Sequence, residues 1–179
     1  MNIVLIGMRG AGKSNVSRRL SVLTKRDVLS SDLLIQYDND AQSIPEILEG
    51  HQGRWQAFRD LEYKVVTKIS ALDDVIIDCG GGVIVDIDLE GEEFFSKRKV
   101  DLLRQNGKII WLKGDIARLA AKTKGDAERP TLDETKSAEE VMQRRLPFYE
   151  EAADIVVDVE GIRRPELAEM VFEKISKYL

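Results

Sequence analysis

The clearest chemistry in the sequence lies in one loop, Gly7-Met8-Arg9-Gly10-Ala11-Gly12-Lys13-Ser14. It follows an apolar run, Ile3 to Ile6, and opens a segment where Val16, Leu20 and Leu23 recur at helical spacing. Strand, glycine loop and helix form the context in which the pattern GxxxxGK[ST] binds phosphate. Glycines let the chain turn with amide N–H groups facing inward, and the following helix adds the positive end of its dipole. In such a loop Lys13 reaches the β- and γ-phosphates and the Ser14 hydroxyl takes a place on Mg²⁺. Gly10, Ala11, Gly12 and Asn15 complete the expected ATP contacts. A bare glycine turn would need few of these parts, so the expectation is a nucleoside triphosphate site.

A triphosphate needs an acceptor, and in an open α/β sheet ligands gather at the carboxyl ends of the strands. Asp32 follows a second apolar run there, and Cys79-Gly80-Gly81-Gly82 follows a third, directly after Asp78. Arg59 sits on a helical segment between them. Three successive glycines imply that backbone approaches another segment or a ligand closely. Plainer readings stay open beside these. Asp32 could cap a helix. Arg59 and Glu62 could form an exposed i, i+3 pair, and Arg144-Arg145 could be a solvated face. Cys79 reads as a small apolar residue, His51 as a loop residue without metal-ligand companions, and Trp55 and Trp111 as core or pocket wall. The polar stretch from Lys122 to Pro130 is either plain surface or a moving lid.

Those residues need a sheet to hold them. Five short apolar runs are expected as strands: Ile3–Ile6, Asp27–Ser31, Val75–Asp78, Lys108–Leu112 and Asp154–Val159. Runs apolar on both faces, separated by helices, predict buried parallel strands in a three-layer α/β/α sandwich. Helices are expected over Pro45–Glu49, capped by Ser43, and over Gly53–Ser70, Glu92–Arg104, Ser137–Phe148 and Pro165–Tyr178. A chain of 179 residues fits a single domain. Its net charge of −5 argues against a nucleic-acid surface. No apolar run is long enough to cross a bilayer. The first strand begins at Asn2, too early for a signal peptide, and the lone cysteine suits a reducing compartment. A cytoplasmic protein is the expectation.

Taken together and in order, the motifs resemble shikimate kinase, a family of small P-loop kinases. The phosphate loop is Gly7 to Ser14, and the second-strand stretch is Val28-Leu29-Ser30-Ser31-Asp32. Ser43-Ile44-Pro45-Glu46-Ile47 and Gly53 to Glu62 follow, the latter with one extra spacer. The glycine turn Gly80 to Gly82, Arg129-Pro130 and Arg145 to Tyr149 complete the series. The resemblance implies transfer of the γ-phosphate of ATP to the 3-hydroxyl of shikimate, with Mg²⁺, in a protein that acts as a monomer. It implies that Asp32 orients or deprotonates the attacking hydroxyl, and that Arg59 and Arg145 hold the carboxylate. Gly81, with Gly80 and Gly82, would offer backbone N–H, and Glu62 would steady Arg59. Arg129 would close over the γ-phosphate from a lid at about 115–135, and Lys122 would lie near the adenine, as would the Gly161-Ile162-Arg163 loop. The acceptor region would span about 32–62.

The sequence departs from the family in a few places. Ser30 stands where a carboxylate usually helps to hold the magnesium shell. Asp78 ends its strand where a small residue is usual, so Asp78, with Ser30, is a candidate for that shell through water. Cys79 for Thr and Lys122 for Arg are milder changes. Three readings remain: a shikimate kinase, a related kinase for another small acid such as gluconate, or a nucleotide-binding module with little phosphotransfer.

Overall fold

The computed structural model describes residues 1–123 and 136–179. Five strands form a parallel sheet: β1 (Asn2–Ile6), β2 (Val28–Ser30), β3 (Ile76–Asp78), β6 (Gly107–Lys113) and β7 (Ile155–Asp158), in the order β2-β3-β1-β6-β7. All five expected runs are strands. Every residue of β1 is buried, so both faces of the sheet's centre are covered. This is why the run is continuously apolar and does not alternate.

Helix α1 (Lys13–Thr24) leaves the loop after β1, with Gly12 at its N-cap at φ 97°. A side chain there would be strained, so the glycine secures the tight entry into the helix. Helix α2 (Ser31–Asp38) follows β2 at once, at the place where Asp32 was one candidate for a helix cap. Helix α3 (Ile44–Gly50) is closed by a capping box in which Ser43 and Glu46 satisfy each other's backbone. Helix α4 (Trp55–Ser70) buries Phe58, Val65 and Ile69, as their spacing requires. A second capping box, Ser137 with Glu140, starts α7 (Ala138–Ala152). That helix runs on through Pro147, beyond the expected end at Phe148. Helix α6 (Ile116–Thr123) precedes the undescribed stretch, and α8 (Arg164–Ser176) packs against α1, with Pro165 in its first turn. No described helix is long and apolar enough to cross a membrane.

One expectation needs correction. The segment expected as a helix over Glu92–Arg104 begins as a strand, β5 (Glu93–Phe95), paired antiparallel with β4 (Val85–Ile87). Helix α5 (Lys97–Gln105) starts only after it. The turn between the strands explains the difference: Asp88 accepts from the amides of Glu90 and Glu92, and Gly91 takes φ 88°. With the chain reversed there, residues 93–95 complete a hairpin before any helix can begin.

Candidate active site

Two cavities meet at the carboxyl end of the sheet. The phosphate loop, Gly10 to Asn15, lines one of them. Lys13 is largely buried, and its ammonium donates to the carbonyls of Gly7 at 2.7 Å and Met8 at 3.3 Å. Ser14, Ser30 and Asp78 line the same cavity, and Lys122, Arg118 and Ile162 its outer part. Ser30 and Asp78 are register partners on adjacent strands. Asp78 is buried, with Ser17 Oγ 3.5 Å from its Oδ2. The Ser30 hydroxyl accepts from the Leu33 amide and so caps α2, a task the sequence left open for Asp32.

The second cavity has apolar walls, including Ile44, Trp55, Phe58 and Met142, and two buried arginines, Arg59 and Arg145. Gly80, Gly81 and Gly82 line it, and at two of them a side chain would displace the end of a site residue. A Cβ on Gly80 would sit 2.2 Å from Asp32 Oδ1, and one on Gly82 2.3 Å from Arg59 Nη2. The Gly80 amide donates to Ser31 Oγ at 2.8 Å, so it is already engaged within the fold. The Gly81 carbonyl accepts from Tyr149 Oη at 2.5 Å and faces Arg145 Nη1 at 3.4 Å. Tyr149 in turn stacks on buried Trp111, ring centres 5.6 Å apart.

Asp32 lines both cavities. It stands in the first turn of α2, half-buried, on the wall the two cavities share. Arg9 also lines both, although the sequence pattern gave its position no role. Arg129 lies outside the described residues.

Each cavity arginine is held by a buried carboxylate. Arg59 donates to Glu62 Oε2 at 3.0 Å and lies over the Trp55 ring, 5.4 Å from its centre. Lys99, fully buried on α5, donates to the same Glu62 oxygen at 2.6 Å. Burial opposes ionisation of Glu62, but Lys99 and Arg59 outweigh it and hold its carboxyl below the usual range. Arg145 is gripped side-on by Glu93, through Nε at 3.0 Å and through Nη2. Arg144 adds a bond to Glu93 at 2.9 Å. Burial again resists, and the two arginines again win, so the Glu93 carboxyl is held low. The sequence reading gave Glu93 and Lys99 no part in holding these arginines. Both lie in the segment misread as one helix. A signal for Lys99 existed, since it shares the buried face of α5 with Val100 and Leu103. Cys79 is buried beside Asp78, and burial pushes its thiol well up, which fits an inert packing role.

This network predicts acid sensitivity. Burial opposes ionisation of Asp86, but Arg98, Lys99 and Ser96 hold its carboxyl down, from 3.8 to about 2. A carboxyl depressed in the folded state stabilises fully above its unfolded value, and that contribution fades as pH falls to the folded one. Thermal melting should therefore be flat near neutrality and drop steeply from pH 4 to about 2. Asp86→Asn should lower Tm at neutral pH and flatten that acid slope. A slope identical to wild type in melts followed by circular dichroism would contradict the assignment.

Comparison with known proteins agrees with this geometry. A model of the shikimate kinase family matches residues 9–177. A shikimate kinase of Leptospira biflexa is 41% identical over 176 residues, covering 98% of this chain and 96% of that one. The solved structure of a shikimate kinase from Acinetobacter baumannii in complex with shikimate superposes with a TM-score of 0.82. It is 27% identical and covers 99% of this chain and 93% of that one. A gluconokinase from Sinorhizobium meliloti superposes with a TM-score of 0.60 at 16% identity, over 99% of this chain and 92% of that one, which is a likeness of fold alone. Phosphate loop, glycine turn and paired arginines thus occur together in a chain that matches one family along nearly its whole length, and the chain belongs to the shikimate kinase family.

Proposed function

We propose that this chain transfers the γ-phosphate of ATP to the 3-hydroxyl of shikimate, giving shikimate 3-phosphate and ADP. The observation that carries the reading is the position of Asp32. It lies on the wall shared by a phosphate-loop cavity and a cavity holding two buried guanidinium groups. A guanidinium matches a carboxylate by two parallel hydrogen bonds, so Arg59 and Arg145 suit a small acid. With that carboxylate fixed at the far end, a ring hydroxyl is left facing Asp32 and the phosphate loop. Asp32 then orients the hydroxyl and takes its proton as the new P–O bond forms. Lys13 follows the charge that moves onto the transferred and leaving oxygens. Catalysis here is mainly positioning, which pre-pays the entropy of bringing acceptor and donor together. The contact with the γ-phosphate that the family resemblance implies for Arg129 falls outside the described residues.

A magnesium ion fits the donors present. Ser14, Ser30, Asp32 and Asp78 bring only hard oxygens to the two cavities, and among the described residues there is no cluster of three His, Cys, Asp or Glu. Mg²⁺ is typically held by one or two carboxylates with phosphate and water oxygens, without a full protein cage. When bound it supplies charge neutralisation at the β- and γ-phosphates. Ser14 would hold it directly, and Asp78 would hold its water shell in place of the carboxylate missing at Ser30. Asp78→Asn should then raise the Mg²⁺ concentration for half-maximal turnover about tenfold. An unchanged Mg²⁺ titration would remove Asp78 from the site.

A monomer remains the expectation that the family resemblance implies, and the single buried cysteine suits the cytoplasm. The deciding experiment is a coupled ADP-release assay over shikimate, gluconate and nucleoside monophosphates. Turnover should require shikimate and Mg²⁺ together. Equal or faster turnover with gluconate would overturn the acceptor.

A further inference from the structure

The β4–β5 hairpin reaches both cavity arginines, by different routes. Towards α4, the Val85 carbonyl accepts from Lys99 Nζ at 2.6 Å, and Asp86 Oδ1 lies 3.5 Å from the same ammonium. Lys99 passes that constraint to Glu62, and Glu62 passes it to Arg59. Towards α7, Glu93 takes the Nε–Nη2 edge of Arg145 directly. Val85 pairs with Phe95 and Ile87 with Glu93, so the two attachment points belong to one antiparallel ladder. The side chains of Lys99 and Glu93 are 0% and 2% exposed. Ions this deep are costly, and apolar residues of similar volume commonly stabilise a fold as well or better. Their partners, however, are the two guanidinium groups whose separation and tilt decide which acid fits between them.

We propose that the β4–β5 hairpin is the template for the acceptor-binding arginine pair, with Lys99 and Glu93 as the positioning residues through which it acts. This rests on the reading that Arg59 and Arg145 hold the acceptor carboxylate. Glu93 occupies the Nε–Nη2 edge of Arg145 and the Gly81 carbonyl lies 3.4 Å from Nη1, so a ligand would take the second N–H of each terminal nitrogen at the Nη1–Nη2 end. Lys99 keeps Glu62 against Arg59 and balances its charge, so that the arginine stays in place when no acceptor is bound. Neither residue touches the reacting atoms. Losing either one should weaken acceptor capture and leave the phosphoryl step nearly intact.

The test is steady-state kinetics on the full chain, with shikimate binding measured by calorimetry. Glu93→Gln and Lys99→Met are compared with Arg59→Lys and Arg145→Lys. Glu93→Gln and Lys99→Met should each raise the shikimate KM and Kd about tenfold, with kcat at saturation within about threefold and the ATP KM unchanged. On a Glu62→Gln background, Lys99→Met should add nothing further to the shikimate KM, because it acts through Glu62. Glu93→Gln keeps the shape of the side chain and carries the test if Lys99→Met does not fold. If Arg59→Lys and Arg145→Lys raise the shikimate KM and the other two variants do not, the template is wrong and the acceptor reading stands. If the arginine variants also leave it unchanged, the acceptor reading itself fails. A fall in kcat with comparable rises in both KM values in Glu93→Gln would mark a purely structural role and overturn the proposal.

Discussion

Lys13→Met is expected to cut kcat by about 10³-fold or more, roughly 4 kcal/mol of transition-state stabilisation. The argument is electrostatic. Lys13 is only 8% exposed, so its charge acts where water screens it little. Its ammonium is pinned to the carbonyls of Gly7 and Met8, so it stands ready at the loop and need not be ordered during the reaction. Methionine fills a similar stem volume without charge, which leaves the loss of the cation as the main change. Steady-state kinetics with ATP and shikimate, together with thermal melts, give the measurement. A variant that folds and keeps more than a tenth of wild-type kcat would show that Lys13 is not the principal cation at the phosphates.

Asp32→Asn should lower kcat by about 10²–10⁴-fold, the range for losing a positioned acid–base group. In its present rotamer the carboxylate lies where a side chain on Gly80 would sit, and Asp32 lines both cavities. Asparagine keeps the shape and one hydrogen-bonding oxygen, so acceptor binding should weaken much less than turnover. The cap of α2 is kept in this variant, since Ser30 and not Asp32 supplies it. Comparing kcat with the shikimate KM and Tm separates these effects. A change in KM alone, with kcat preserved, would reduce Asp32 to a binding residue.

Much of this arrangement could be read from residue order, because local rules and the final fold agree where the signal is strong. The phosphate loop needs its glycines and Lys13 whatever surrounds it. The capping residues Ser43 and Ser137 announce α3 and α7 by the glutamate three positions on. The face of α4 is legible from the spacing of Phe58, Val65 and Ile69, and Arg59 with Glu62 fall beside it. Failures cluster where tertiary contacts reverse a local preference. Glu93 and Lys99 are charged residues in a charge-rich stretch, which suggests a solvated helix, and only their distant partners Arg145 and Glu62 make their burial tolerable. The β-branched run Val83 to Val85, the Asp88–Gly91 turn and the Phe94-Phe95 pair were the available hints of a hairpin. The short α2 was given no range of its own because its cap Ser30 is also the last residue of a three-residue strand.

The two tryptophans stand in very different surroundings. Trp55 forms part of the acceptor cavity wall under Arg59, whereas Trp111 is sealed against Tyr149 in the interior. An indole beside a ligand pocket changes its emission most when that pocket fills, while a buried one changes most when the interior opens to water. Intrinsic fluorescence can therefore separate occupancy from unfolding in a single unlabelled sample. A Trp55→Phe variant would leave Trp111 as a clean reporter of structural integrity, and Trp111→Phe would leave Trp55 as a sensor of the bound acid.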